Sequence, residues 1–321
     1  MDSYPQMGRI NSVSERLHLS AHAKVNLYLS VLGRRSDGYH LVDTCLHSLV
    51  LADEITAELL GERVELTLES RPGSGLAVAA DGDNLICRAA AAFIAAAGVA
   101  PGVRFTARKR IPAGAGLGGG SSDAAAALLL MNTLHGRPLS DDELEQVAAT
   151  LGADVPFFLR GGTQIGRGVG DELTAVADAP DLHFVLLLPP FGLSTASVYQ
   201  RCGARELADT DRTVAANAAA GRDAVELSDP ARYANDLEPA AMALEPRLAR
   251  LRDRVVALGY PQVRMSGSGS SLFIAFTEER DAATAAEQLA CLADEDVVMI
   301  QTRSAGEPRR EPRPAGDGEG N

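Results

Sequence analysis

A chain of 321 residues with 46% hydrophobic and 23% charged residues can bury a core of its own, about two domains' worth, without disulfide or metal staples. Its net charge of −13 argues against a nucleic-acid binder, which would carry a basic balance or a basic stripe. The four cysteines (Cys45, Cys87, Cys202 and Cys291) stand far apart with no C-x-x-C pair, as expected of reduced thiols in a cytoplasmic protein. Residues 1–16 lack an apolar signal-peptide core and no run reaches about 18 apolar residues, so neither secretion nor a membrane span is expected.

In chain order, residues 1–16 are polar and irregular and read as a disordered tail. From Ala23 to Val31, Val25, Leu27, Leu29 and Val31 alternate with Lys24, Asn26, Tyr28 and Ser30, the period of a half-buried strand. Asp37-Gly38 marks a turn before an apolar stretch over Leu41–Leu51. Further strand-like segments fall at Glu62–Glu69 and near Leu76–Ala79. Asn84–Ala97 reads as an Ala-rich helix stopped by Gly98, and Val103–Ile111 alternates again up to Pro112. A glycine-rich loop over 114–123 leads into a helix from Ala124 to Leu134, with Gly136 as its stop. Ser140 with Glu143 forms the signature of a capping box, so a second helix begins there.

Past that point, Phe184–Leu188 reads as a buried strand and residues 204–230 as a polar, Ala-rich stretch. Helices are expected at 231–244 and 246–258. Strands at Val263–Met265 and Leu272–Phe276 flank a second glycine cluster, Gly267-Ser268-Gly269, and a helix at 282–292 and a strand at 297–301 follow. Residues 305–321 read as a second tail. Helices and strands mix without a regular βαβ rhythm, which predicts an α+β protein. Domains are expected at 17–178 and 179–304.

The loop fits G-x-G-x-x-G through Gly114, Gly116 and Gly119, but the strand before it is charged at alternate positions and Pro112 interrupts it, which speaks against a dinucleotide fold. A Walker A loop needs Lys and Ser/Thr after its last glycine, and no Lys stands there. What remains is either a flexible turn or a backbone cradle at a helix N-terminus, where free N–H groups and the helix dipole attract a phosphate. The run Arg108-Lys109-Arg110 is either a solvated strand edge or charge placed beside such a ligand.

The segment Ile111–Ser122 closely resembles the phosphate-binding motif of the GHMP kinases. Ala23-Lys24-Val25-Asn26-Leu27, Arg35-Ser36-Asp37-Gly38-Tyr39-His40, Leu151–Phe158, Asn235-Asp236-Leu237-Glu238-Pro239 and Met265–Gly269 resemble further motifs of one branch, whose acceptor is a diphosphocytidyl polyol. The similarity runs from about residue 19 to residue 302. It implies a two-domain α+β fold: an N-terminal ribosomal-protein-S5-like domain with a left-handed βαβ element, and a ferredoxin-like C-terminal domain. The active site is expected between them.

The resemblance implies ATP and Mg²⁺ as cofactors and transfer of a phosphoryl group to an alcohol, in the non-mevalonate route to isoprenoid precursors. Asp154 matches the catalytic aspartate and Lys24 its partner. Asp154 could equally be a helix N-cap, and the two roles are compatible. Lys24 and Asn26 point to one face of their strand, about 7 Å apart along it. For ATP it points to Asn84, Lys109, Pro112, Gly114, Gly116, Leu117, Gly118, Gly119, Gly120, Ser121 and Ser122, with Ser122 also a candidate near the metal but no protein metal ligand assigned. For the acceptor it points to Asn26, Tyr39, His40, Thr195 and Tyr199, with the aromatic rings around the cytosine. The partner is therefore a small molecule with a cytidine diphosphate group, not nucleic acid or membrane; monomer and weak homodimer both remain open. Two other readings stand beside this one: a GHMP kinase of homoserine or mevalonate type, and a non-catalytic nucleotide-binding relative.

Overall fold

The computed structural model describes residues 16–60, 62–70, 83–177, 179–203, 227–306 and 311–315. Two long strands, β1 (Arg16–Arg34) and β2 (His40–Leu59), form the backbone of the N-terminal half. They make an antiparallel hairpin that turns at Asp37-Gly38, with Gly38 at φ +92°. β3 (Val64–Ser70), α1 (Leu85–Ala97) and β4 (Val103–Lys109) follow. β3 and β4 pair in parallel, so α1 is the crossover of a βαβ unit. Then come α2 (Gly119–Leu134), α3 (Asp141–Leu151), α4 (Val155–Arg160), β5 (Thr163–Arg167) and β6 (Glu172–Ala175).

The C-terminal half holds β7 (His183–Leu188), α5 (Thr195–Arg201), α6 (Glu238–Leu244), α7 (Pro246–Ala257), β8 (Arg264–Met265), β9 (Leu272–Phe276), α8 (Glu279–Leu289) and β10 (Val298–Arg303). Its sheet order, β10-β7-β9-β8, is antiparallel at every neighbour. Numbered within the half, that is the fourth, first, third and second strand, the ferredoxin-like arrangement. A last short strand, β11 (Arg313–Pro314), returns to pair with β1 at Leu17 and His18.

The helix signals act locally. Asn84 accepts from the Ile86 N–H at 2.9 Å and Gly98 closes α1 in the left-handed region. The Ser140–Glu143 capping box starts α3 in both directions. α2 is apolar almost all round and is buried accordingly. It lies under the first sheet, in one core with Ile55, Phe93, Phe105 and Leu128. A second core fills the C-terminal half around Val185, Leu251, Ile274 and Leu289. A third joins the halves, setting Val25, Leu27 and Leu49 against Phe184, Leu186 and Phe273. At about 1.5–3 kcal/mol for each fully buried large side chain, this seam holds the two halves in a fixed relation.

Several expectations need correction. β1 is buried on both faces from Ala23 to Leu29, not half-buried, because its apolar face meets the third core and its polar face lines a cleft. α2 starts at Gly119 rather than Ala124, its first turn made by the glycine loop itself. The span 231–244 is not one helix. A 3-10 turn at Pro230–Arg232 is followed by an extended piece that bonds β1 through Leu29 N to Ala234 O and Asp236 N to Leu29 O, both 2.9 Å, and only then by α6. The tail expected from residue 305 is ordered in part, since Ala305 N donates to Ser48 O at 2.9 Å and β11 pairs. The strand expected near Leu76–Ala79, the tail up to residue 15, the boundary at residue 178 and most of 204–230 lie outside the described residues.

Candidate active site

Between the two halves lies a cleft of about 1190 Å³, lined by β1, the β1–β2 turn, the glycine loop, the start of α4, α5 and the second glycine cluster. One ligand pocket commonly measures about 300–1,000 Å³, so this cleft is at least as roomy as a large small-molecule site.

The glycine loop sets its floor. Gly118 caps α2 in the left-handed region at φ +73° with no side chain bonded to the helix start, which leaves the first-turn N–H groups to face the cleft. At Gly118 a Cβ would lie 2.5 Å from the Phe158 ring, so any side chain there would have to displace that ring as well as hold a left-handed backbone. The loop is bonded to what surrounds it: Lys24 N donates to Leu117 O at 3.0 Å, Ser266 Oγ to Gly116 O at 2.9 Å and Ser271 N to Ala115 O at 3.1 Å. The second glycine cluster thus braces the first. It is held in turn by Asn235, whose Nδ2 donates to Met265 O at 2.8 Å and Gly267 O at 2.7 Å.

At the head of the loop, β1 is interrupted by irregularities on either side of Lys24–Asn26, and such bulges re-aim side chains. Lys24 and Asn26 are both buried and both face the cleft. Lys24 Nζ donates to Asn26 Oδ1 at 2.6 Å, Asn26 Nδ2 to Thr44 Oγ1 at 2.8 Å and Thr44 Oγ1 to Tyr28 O at 2.7 Å. This chain of bonds aims the ammonium at Asp154, whose Oδ2 lies 3.7 Å from it. Asp154 does stand at the N-cap position of α4, but its side chain makes no capping bond. The carboxylate, 41% exposed, is presented to the cleft, while the lysine is sealed beneath it.

The other end of the cleft is built by the β1–β2 turn and α5. The rings of His40 and Tyr199 sit 5.1 Å apart, and Tyr39 is 65% exposed. Burial, and then the charge of Asp154, raise the Tyr199 phenol, so it stays a neutral donor. Burial, and then the charge of Arg34, lower the His40 imidazole. Thr195 Oγ1 shares a 2.8 Å hydrogen bond with Ser268 Oγ and closes the rim.

Most of the expected residues meet here: Lys24, Asn26, Tyr39, His40, Asn84, Lys109, Pro112, Gly114, Gly116, Gly118, Gly119, Gly120, Ser121, Asp154, Thr195 and Tyr199 all line the one cleft. Leu117 and Ser122 do not. Leu117 packs into the seam between the halves and reaches the site only through its backbone. Ser122 faces a small cavity between α2 and β1, because one residue along a helix turns the side chain about 100° away from its neighbour Ser121. Its side chain thus lines that cavity rather than the cleft.

Lys109 borders the cleft, but its ammonium is bonded to two buried carboxylates, Asp53 and Asp123. Asp53 also accepts from the N–H groups of Arg110 and Ile111, the latter at 2.8 Å. Burial opposes the Lys109 charge, yet the two carboxylates outweigh it and raise its pKa. Burial pushes the Asp123 carboxyl up to about 7 against the pull of Lys109. This triad fastens the end of β4 to α2 under the loop. Sequence reading missed Asp53, Asp123, Thr44 and Arg34, since single polar residues far apart in the chain carry no spacing signal. Among the described residues, no three His, Cys, Asp or Glu side chains converge as a metal cluster.

Comparison with known proteins agrees with this geometry. The family patterns described as GHMP kinases N terminal domain and GHMP kinases C terminal match residues 84–162 and 214–294. A homoserine kinase from Cytophaga hutchinsonii shares the fold at a TM-score of 0.69 with 19% identity, covering 97% of this chain and 99% of its own. The family patterns and the shared fold thus place the chain among the GHMP kinases. Sequence narrows it further. The 4-diphosphocytidyl-2-C-methyl-D-erythritol kinase of Moorella thermoacetica is 41% identical over 80% of this chain and 89% of its own, and that of Geobacter metallireducens 40% identical over 89% and 98%. A crystal structure of 4-(cytidine 5'-diphospho)-2C-methyl-D-erythritol kinase superposes with a TM-score of 0.66 at 37% identity, covering 90% of this chain and all of that one. The chain belongs to the 4-diphosphocytidyl-2-C-methyl-D-erythritol kinase family.

Proposed function

We propose that this chain transfers the γ-phosphoryl group of ATP to the 2-hydroxyl of 4-diphosphocytidyl-2-C-methyl-D-erythritol, a step of the non-mevalonate route to isoprenoid precursors. One observation carries the reading. The Lys24–Asp154 pair at the head of the phosphate loop and the His40–Tyr199 ring pair open into the same cleft.

Phosphoryl transfer needs alignment and compensation of charge more than covalent help from the protein. The triphosphate lies against the free N–H groups at the start of α2. The acceptor hydroxyl points at Asp154, which takes its proton as the oxygen bonds to the γ-phosphorus and the bond to the bridging β-phosphate oxygen breaks, releasing ADP. Lys24 holds the Asp154 carboxylate in place and faces the transferring group with its positive charge. Neutral His40 reads the polar edge of the cytosine, and Tyr39 and Tyr199 offer it their ring faces. Mg²⁺ offsets phosphate charge in such reactions. Here it would be held by phosphate oxygens and water, with the Ser121 hydroxyl lining the cleft at the helix start.

The test is an ADP-release assay offering the diphosphocytidyl acceptor beside homoserine, mevalonate and galactose. Turnover of the first alone supports the reading. Turnover of another alcohol keeps the kinase and discards the cytosine site. Silence with all four, in folded protein that binds ATP, leaves a non-catalytic relative.

A further inference from the structure

Among the described residues, three cations border the cleft: Lys24, Lys109 and Arg34. Two are already committed to carboxylates, Lys24 to Asp154 and Lys109 to Asp53 and Asp123. Arg34 is different. It ends β1 opposite His40 in the hairpin register and is exposed. Among the described residues its side chain makes one hydrogen bond, from Nε to Gly38 O at 3.3 Å, and no ion pair. That single bond anchors the side chain over the β1–β2 turn, where Arg34 and Gly38 both line the cleft. Its charge reaches His40, where it adds to burial, the larger cause, in lowering the imidazole pKa.

An unpaired arginine is unexpected here on electrostatic grounds. The protein carries a net charge of −13, so an anionic acceptor is repelled on approach unless the cleft presents local positive charge. The phosphate loop meets the ATP end. The ring pair at the other end recognises a base, which is neutral, and leaves the diphosphate attached to that base without a counter-charge. A guanidinium offers two parallel N–H donors that match phosphate oxygens, a geometry an ammonium lacks.

We propose that Arg34 binds the diphosphate of the cytidine-diphosphate acceptor and is a specificity residue for it. The proposal rests on the acceptor assigned above. It makes the diphosphate a recognised group in its own right rather than a spacer between base and hydroxyl.

Calorimetric titration of CDP and of cytidine into wild type, Arg34→Met and Arg34→Lys separates the possible contacts, alongside acceptor kinetics. Arg34→Met is expected to weaken CDP about tenfold or more, the scale of one charge-assisted contact, and to leave cytidine within about twofold. The acceptor KM rises by a similar factor while the ATP KM stays near wild type. Arg34→Lys recovers part of the CDP affinity, since it restores the charge but not the fork, and the wild-type preference for CDP over cytidine shrinks with added salt. Equal losses for CDP and cytidine would assign Arg34 to the base and overturn the proposal. So would unchanged CDP binding, which leaves a solvated side chain. If wild type turns over the diphosphocytidyl acceptor while CDP binding ignores Arg34, only this inference falls. If wild type neither binds CDP nor turns that acceptor over, the function itself falls and takes this inference with it.

Discussion

Gly116 stands so close to Ser266 that a Cβ on residue 116 would fall 2.3 Å from the Ser266 carbonyl oxygen. The two glycine clusters are thus packed backbone to backbone, one from each half of the molecule, and Gly116 also holds φ +76°. Gly98 offers a control, with φ +65° but nothing within 4 Å of its Cβ position. Gly98→Ala meets only the left-handed penalty, about 1–2 kcal/mol. Gly116→Ala adds a collision with main chain, which cannot swing aside as a side chain could, and is expected to cost about 3 kcal/mol or more with loss of turnover. Urea midpoints and kcat for both variants check this; equal costs would mean the loops part easily.

Lys24 and Asp154 come from opposite ends of the N-terminal half and pair at 3.7 Å. Asp154→Asn should lower kcat about 10²- to 10⁴-fold, the range for a positioned base, with the ATP KM within a few-fold. Lys24→Met should do comparable damage, because it leaves Asp154 unheld. The double variant should be little worse than the poorer single, as residues sharing one function are not additive. Single-turnover rates for the four proteins decide it: effects that multiply would mean the two side chains act separately.

How much of this was legible beforehand follows from the range of each interaction. The caps at Asn84 and Ser140 and the turn at Asp37-Gly38 depend on neighbours within a few residues, and the structure has them where the sequence puts them. The polar face of β1 looked solvated because alternation cannot reveal what covers it; a cleft floor and a bulge on each side of Lys24–Asn26 do. α5 and the β5–β6 hairpin went unseen, being short and lacking a clear period. Lys109, expected at the ATP site, borders the cleft, but its bonds run to Asp53 and Asp123, 56 and 14 residues away. No local pattern marks such a partnership.

That partnership has an energetic consequence. Lys109→Met would leave two carboxylates facing each other in the interior, and breaking a buried charge network this way costs about 3–5 kcal/mol. Adding Asp123→Asn removes one of the stranded charges and should restore part of the loss. Urea unfolding of wild type, the single and the double variant is the check. A single variant of wild-type stability would mean that the carboxylates are neutral or hydrated there.

Two buried groups, His47 and Asp123, contribute to the pH dependence of stability with opposite signs. His47 bonds Thr163 Oγ1 at 2.7 Å and Ser304 Oγ at 2.8 Å, lies 5.7 Å from the Phe184 ring, and feels the charge of Asp181. Burial lowers its pKa from 6.5 to about 4. Between those values the unfolded chain holds a proton that the folded one lacks, so this contribution is complete above pH 6.5 and is lost as pH falls towards 4. At about 1.4 kcal/mol per unit it amounts to about 3 kcal/mol. Asp123 runs the other way. Its pKa rises from 3.8 to about 7 on folding, so its contribution is present below pH 3.8 and is lost as pH climbs through 7. His47→Gln keeps hydrogen-bonding groups beside Thr163 and Ser304 without the titration, and should make stability rise less with pH between 4 and 6.5. Asp123→Asn should make it rise more over the same range. Urea unfolding at half-unit pH steps separates the two slopes, and a His47→Gln curve parallel to wild type would show that the imidazole is already solvated in the folded protein.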